Sequence, residues 1–190
     1  MSGADTAVPT VIEIDPDTPQ FLRPLAHALL WLNRAMVVLG MVSLLAASLV
    51  LTYSVISRYV MQASTDWQDE AALFCLVGAT FLCGAFVQSL RGHVGIEAIA
   101  GLLPRSVNNL RRMLVDLMSL LFCSFFSWKS WTLFHEALIE QQTTSSSWAP
   151  SLAIPYGLMA TGMTLLSLQL LVQLSARLNA LVKPSSGTTP

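Results

Sequence analysis

Twenty consecutive residues from Ala71 to Leu90 carry no charge. At about 1.5 Å per helical residue they match the roughly 30 Å hydrocarbon core of a bilayer, where a chain must satisfy its own backbone hydrogen bonds. A transmembrane helix is the consequence. In front of it, Ser64, Thr65 and Asp66 offer N-cap oxygens, and Asp66, Asp69 and Glu70 place negative charge on the positive end of the helix dipole, so the helix is predicted to begin near Trp67. Behind it, Arg91, Gly92 and His93 end the apolar run, and Val94 to Leu103 reads as a short amphipathic segment closed by Pro104.

Composition extends this inference to the whole chain. Of 190 residues, 54% are hydrophobic and 11% charged, a balance far from that of a soluble globular domain. A net charge of -1, with no cluster of Lys and Arg, argues against nucleic acid as a partner. Cys75, Cys83 and Cys123 all fall in apolar runs. The first two lie about 12 Å apart along one helix, too far to bridge, so all three are expected as free packing residues.

Residues 1–20 hold Asp5, Glu13, Asp15, Asp17 and three prolines without apolar periodicity, which describes a flexible tail and lacks the pattern of a cleaved signal peptide. Phe21 to Arg34 spaces Leu22, Leu25, Leu29 and Leu32 by three and four, with Trp31 beside them, and is expected as an interfacial lead-in. Residues 35–57 are free of charge and long enough to cross. A third span is placed at 113–133 despite Asp116, and a fourth at about 152–174, after the polar stretch QQTTSSSWAP. The expected fold is therefore an all-α integral membrane protein. It has spans at about 35–57, 71–90, 113–133 and 152–174 within a membrane domain over 21–182, an interfacial segment between helices two and three, and a polar tail at 183–190.

Basic residues set the orientation. Arg23, Arg34, Arg91, Arg105, Arg111, Arg112, Arg177 and Lys183 fall on one side of such a plan. Arg58 and Lys129 fall on the other, with Trp67, Trp128, Trp131 and Trp148 as an aromatic belt. Both termini are expected in the cytoplasm.

Chemistry has few candidates. His27, His93 and His135 lie near span ends or in loops rather than facing one another at membrane depth, as a haem-binding respiratory anchor requires. His93 beside Arg91 reads first as a headgroup or capping contact and second as a ligand or pH sensor. No phosphate loop, C-x-x-C pair or nucleophile elbow is present, so neither an enzyme nor a bound cofactor or metal is expected. Asp116 is the ionisable group set well inside a predicted span; Arg112, four residues earlier, makes an interfacial ion pair the weightier reading and a transport role the lesser. Without further buried charge or paired broken helices, the chain does not resemble a complete secondary transporter, which leaves a respiratory or quinone-linked membrane anchor and a stand-alone small channel as rival classes.

Helix packing gives the clearer signal. Ala71, Cys75, Ala79 and Cys83 recur every fourth residue, with Gly78 and Gly84 close by, and the first span offers Gly40, Ser43 and Ala47. Such stripes let helices approach closely. Two readings stand: packing among the four spans, and contact with a partner chain.

The run Arg58-Tyr59-Val60, then Trp67-x-x-Glu70, an apolar span containing Gly84, then Arg91-Gly92-His93 and Leu103-Pro104 resembles the small membrane subunit of tripartite ATP-independent periplasmic (TRAP) transporters, the DctQ-like family. The resemblance covers roughly Trp31 to Leu174 and is most specific from Trp67 to Pro104. Pro155 fits the family's fourth span, whereas a second proline that often follows is missing and Gly162 stands alone.

The resemblance implies a scaffold role beside a large permease subunit that holds substrate and sodium sites, with a periplasmic solute-binding protein delivering a solute such as a carboxylate or sugar acid. It also implies the bacterial inner membrane, and a chain separate from its large partner rather than fused to it. On that basis Arg58, Trp67 and Glu70 would anchor the periplasmic start of the second helix, and Ala71, Cys75, Gly78, Ala79 and Cys83 would offer a close-approach face. Arg91 and His93 would fix the cytoplasmic end through phospholipid phosphate or the large subunit, and Ile96, Ile99, Leu102 and Leu103 would lie along the membrane surface. Each of these positions equally suits simple membrane anchoring.

Overall fold

The computed structural model describes residues 23–62, 66–90 and 105–182, and among these it is helical with no strand. α1 runs Arg23–Ile56 and continues as one π-helical turn, Ser57–Met61; α2 runs Asp66–Leu90, α3 Arg105–Ile139 and α4 Ala153–Val182. All four are long and apolar enough to cross a membrane, so the fold is the expected all-α membrane protein. The tail at 1–20, the caps Ser64 and Thr65, the segment Val94 to Leu103 and the tail at 183–190 lie outside the described residues.

Two boundaries differ instructively from the sequence reading. α1 begins at Arg23 and takes in the stretch expected as an interfacial lead-in. Ala26 and Leu29 are buried against Ala85 of α2 and Leu165 and Val172 of α4, so the three-and-four leucine spacing serves a bundle contact rather than a surface one. α3 reaches Ile139, beyond the expected end at Leu133, because His135 and Glu136 do not stop a helix whose backbone groups go on bonding internally.

In space the helices lie in the order α1, α2, α4, α3, with α1 touching α4 only marginally. α2 and α4 therefore lie inside, and the more deeply buried of the two is α4. It joins both core clusters: Leu165 and Val172 pack with α1 and α2, while Met163 and Leu170 pack with Cys123 of α3, flanked by Phe81. α1 and α3 form the two flanks and leave long apolar faces uncovered.

α3 and α4 are joined by the polar stretch the sequence excluded from lipid. A bridge between Thr143 and Ser151 closes it, with Thr144 N–H donating to Pro150 O at 3.1 Å and Leu152 N–H to Gln142 O at 2.9 Å. Ser151 Oγ then accepts from Ala153 N–H at 3.3 Å and caps α4. Pro155 sits in the first turn, where its missing N–H is not needed.

Candidate functional site

The small-residue stripe of α2 is used inside the bundle. A Cβ placed on Gly40 of α1 would fall 2.3 Å from Cys83 Sγ and 3.6 Å from Ala79 O, so only glycine lets α1 lie this close. Gly78, on another side of α2, meets Leu158 of α4. Ala71 and Cys75 are half-buried on the same stripe, and Cys75, Cys83 and Cys123 are free thiols. Gly84, by contrast, has open space where a side chain would stand.

A closer approach was not legible in the stripe. A Cβ on Gly162 of α4 would lie 2.4 Å from the backbone oxygen of Phe81, which places the α2 and α4 backbones in direct contact. Gly162, the second glycine of the fourth span, is thus a point of direct backbone contact in the inner helix pair.

α4 also supplies a polar ladder. Gln169, Gln173 and Arg177 stand one turn apart, and each reaches a different helix. Asn33 of α1, fully buried, donates through Nδ2 to Gln169 Oε1 at 3.1 Å. Gln88 of α2 donates to Gln173 Oε1 at 3.1 Å, and Gln173 Nε2 returns a bond to Gln88 O at 3.1 Å. Arg177 pairs with Asp116 of α3. Asp116 thus takes part in an ion pair across helices with Arg177; the side chain of Arg112, the partner read from the sequence, lies outside the described set. A single sequence shows i, i+4 neighbours and hides interhelical ones. Interhelical bonds of this kind contribute about 0.6 kcal/mol each, up to ~1.7, in a bilayer.

Deeper along α3, Ser127 Oγ lies 2.8 Å from Thr164 Oγ1, Trp131 Nε1 donates to the same oxygen at 3.0 Å, and Thr164 donates to Ala160 O at 2.7 Å. Trp131 is consequently tied to α4 at the level of Thr164. Lys129, between these two α3 positions, lies at the same level. Two residues before Thr164, Gly162 meets Phe81, the middle of the uncharged run Ala71–Leu90, which puts Lys129 near half the hydrocarbon thickness. The count of basic residues assigns it to the far side, although the span at 113–133 contains it. A lysine at the centre of a spanning helix costs about 2.5–3.5 kcal/mol on insertion scales.

At the other end of α2, Arg58 of the π turn pairs with Asp69 at 3.3 Å, and Trp67 meets Trp148 edge to face at 6.4 Å. This ties the α1–α2 and α3–α4 connections to one level. Glu70 is half-buried, and its Oε2 is enclosed without a hydrogen-bond partner among the described residues. Arg91, His93, Ile96, Ile99, Leu102 and Leu103 lie outside the described residues.

Nothing here forms a chemical centre among the described residues: no group of three His, Cys, Asp or Glu side chains converges. A groove of about 420 Å³ between α3 and α4 is lined by Trp131, Phe134, Ala153, Ile154, Gly157, Leu158 and Thr161, without a charged side chain to hold an anionic solute. The features that do converge are helix-joining contacts and uncovered apolar flanks.

Comparison with known proteins gives a consistent picture. The family described as tripartite ATP-independent periplasmic transporters, DctQ component, matches residues 47–180, well over half of the chain. A Haemophilus influenzae protein named as a TRAP transporter small permease is 23% identical over 137 residues, covering 72% of this chain and 79% of that protein. No solved structure matches.

Proposed function

Because the chain belongs to the DctQ component family of the tripartite ATP-independent periplasmic transporters, we propose that it works as a scaffold. In this role it braces a large permease subunit during sodium-coupled uptake of a small organic solute, such as a carboxylate or sugar acid, delivered by a periplasmic binding protein. The family is one of transporter subunits, not of enzymes. The carrying observation is the extent of the match, which includes the whole of α2 and α3, most of α4 and the latter part of α1.

The geometry supports a bracing role. An inner helix locked to three others by polar bonds makes a stiff slab, and the flanks of α1 and α3 offer it to a larger neighbour. Glu70, with a carboxylate oxygen lacking a donor among the described residues, is a group at the start of α2 suited to receive one from that neighbour. Arg91 and His93 would hold the opposite end through phosphate or the same partner, and Ile96, Ile99 and Leu103 would rest on the membrane surface. The membrane is the bacterial inner membrane, with both termini cytoplasmic, since eight of the ten basic residues then face inward.

Reconstitution tests the role. Proteoliposomes holding this chain and its large subunit, supplied with the binding protein and a sodium gradient, are expected to take up solute, and omission of this chain should reduce uptake to background. Undiminished uptake without it, or uptake by this chain alone, contradicts the proposal.

A further inference from the structure

Lys129 stands apart from every contact that holds the bundle together. At 100° per residue it is turned about 200° from Ser127, whose hydroxyl meets α4, so it points directly away from the inner helix. It is exposed, and among the described residues its ammonium pairs with no carboxylate; it lies 5.4 Å over the ring of Trp128. Its level is that of Thr164, near the middle of the slab.

The face around it has a pattern. Met118, Phe122, Phe125, Lys129, Thr132 and Glu136 follow one another at alternating spacings of four and three, the period of a seam between two helices. All six are exposed, Phe122 at 66% and Phe125 at 57%. Lipid alone accounts for the apolar members but not for a cation at this depth, which a hydrocarbon surface disfavours strongly. A single lysine in a core position of such a seam specifies which partner fits and in what register.

Building on the assembly role proposed above, we infer that this outer face of α3 receives a transmembrane helix of the large permease subunit. That helix carries an Asp or Glu side chain at mid-membrane depth to pair with Lys129. Charge decides among occupants. A second copy of this chain, related by a two-fold axis normal to the membrane, would set Lys129 against Lys129 at the same level and repel. A phospholipid headgroup lies roughly 15 Å away along the helix, beyond the reach of a lysine stem. A carboxylate on a neighbouring helix answers the charge where it stands.

Tagged chain co-expressed with its large subunit and purified in mild detergent tests this directly. Wild type and Lys129→Arg are expected to bring the large subunit in equal amount, Lys129→Met to bring roughly tenfold less, and Lys129→Glu less again. Each variant expressed alone should keep the wild-type helical circular dichroism, which separates lost assembly from lost folding. Exchanging the matching carboxylate of the large subunit for lysine should restore capture by Lys129→Glu. Undiminished capture by both Lys129→Met and Lys129→Glu overturns this inference alone; failure of the wild-type chain to capture the subunit overturns the assembly role with it.

Discussion

Single residues set how closely the helices of this chain can lie. Gly162 is the sharpest case, since any side chain there meets the Phe81 backbone, which has no rotamer to retreat into. Gly162→Ala is expected to destabilise the detergent-solubilised chain by about 1–3 kcal/mol, read as a lowered Tm, whereas Gly84→Ala, facing open space, should leave Tm unchanged. An equal effect of the two substitutions would refute the close-approach assignment. The sequence made Gly40, Ala79 and Cys83 conspicuous through their regular spacing, and the structure brings them together. It gave no such cue for Gly162, because one glycine without a partner at i+4 has no periodic signature, and the constraint comes from a helix eighty residues away. Lys129 shows a related limit: a count of basic residues assigns it to the far side although the span at 113–133 contains it, and the neighbouring helices set its level at Thr164.

At the scale of elements, the number and type of helices were legible because lipid leaves an apolar run of this length few alternatives. Their order in space was not. Nothing in four apolar stretches says that the last inserts between the second and third, yet Gln169, Gln173 and Arg177, spaced by four, mark α4 as the helix with a polar stripe to satisfy. Asp116 and Arg177 fasten α3 to α4 by one such contact. Neutralising one partner leaves the other without its counter-charge. Asp116→Arg and Arg177→Asp are each expected to lower Tm, and the double exchange to recover most of the loss. A double exchange no better than the sum of the singles would show that the two groups do not act as a pair.

On the scale of the whole molecule, the slab is an incomplete object. α4 is enclosed, α2 partly so, and α1 and α3 present apolar flanks that lipid or protein must cover. The groove between α3 and α4 has no charged side chain in its lining, and among the described residues no three His, Cys, Asp or Glu side chains converge. The block around α2 that carries the family resemblance runs from Trp67 to Pro104. Its Arg91 and His93 end falls outside the described residues, while its Trp67 and Glu70 end joins the two connections on one side of the slab. The most direct measurement is the mass of the tagged chain purified from its native membrane in mild detergent. A stable complex with one larger hydrophobic polypeptide is the predicted result; a chain that elutes by itself and transports solute unaided would contradict the account.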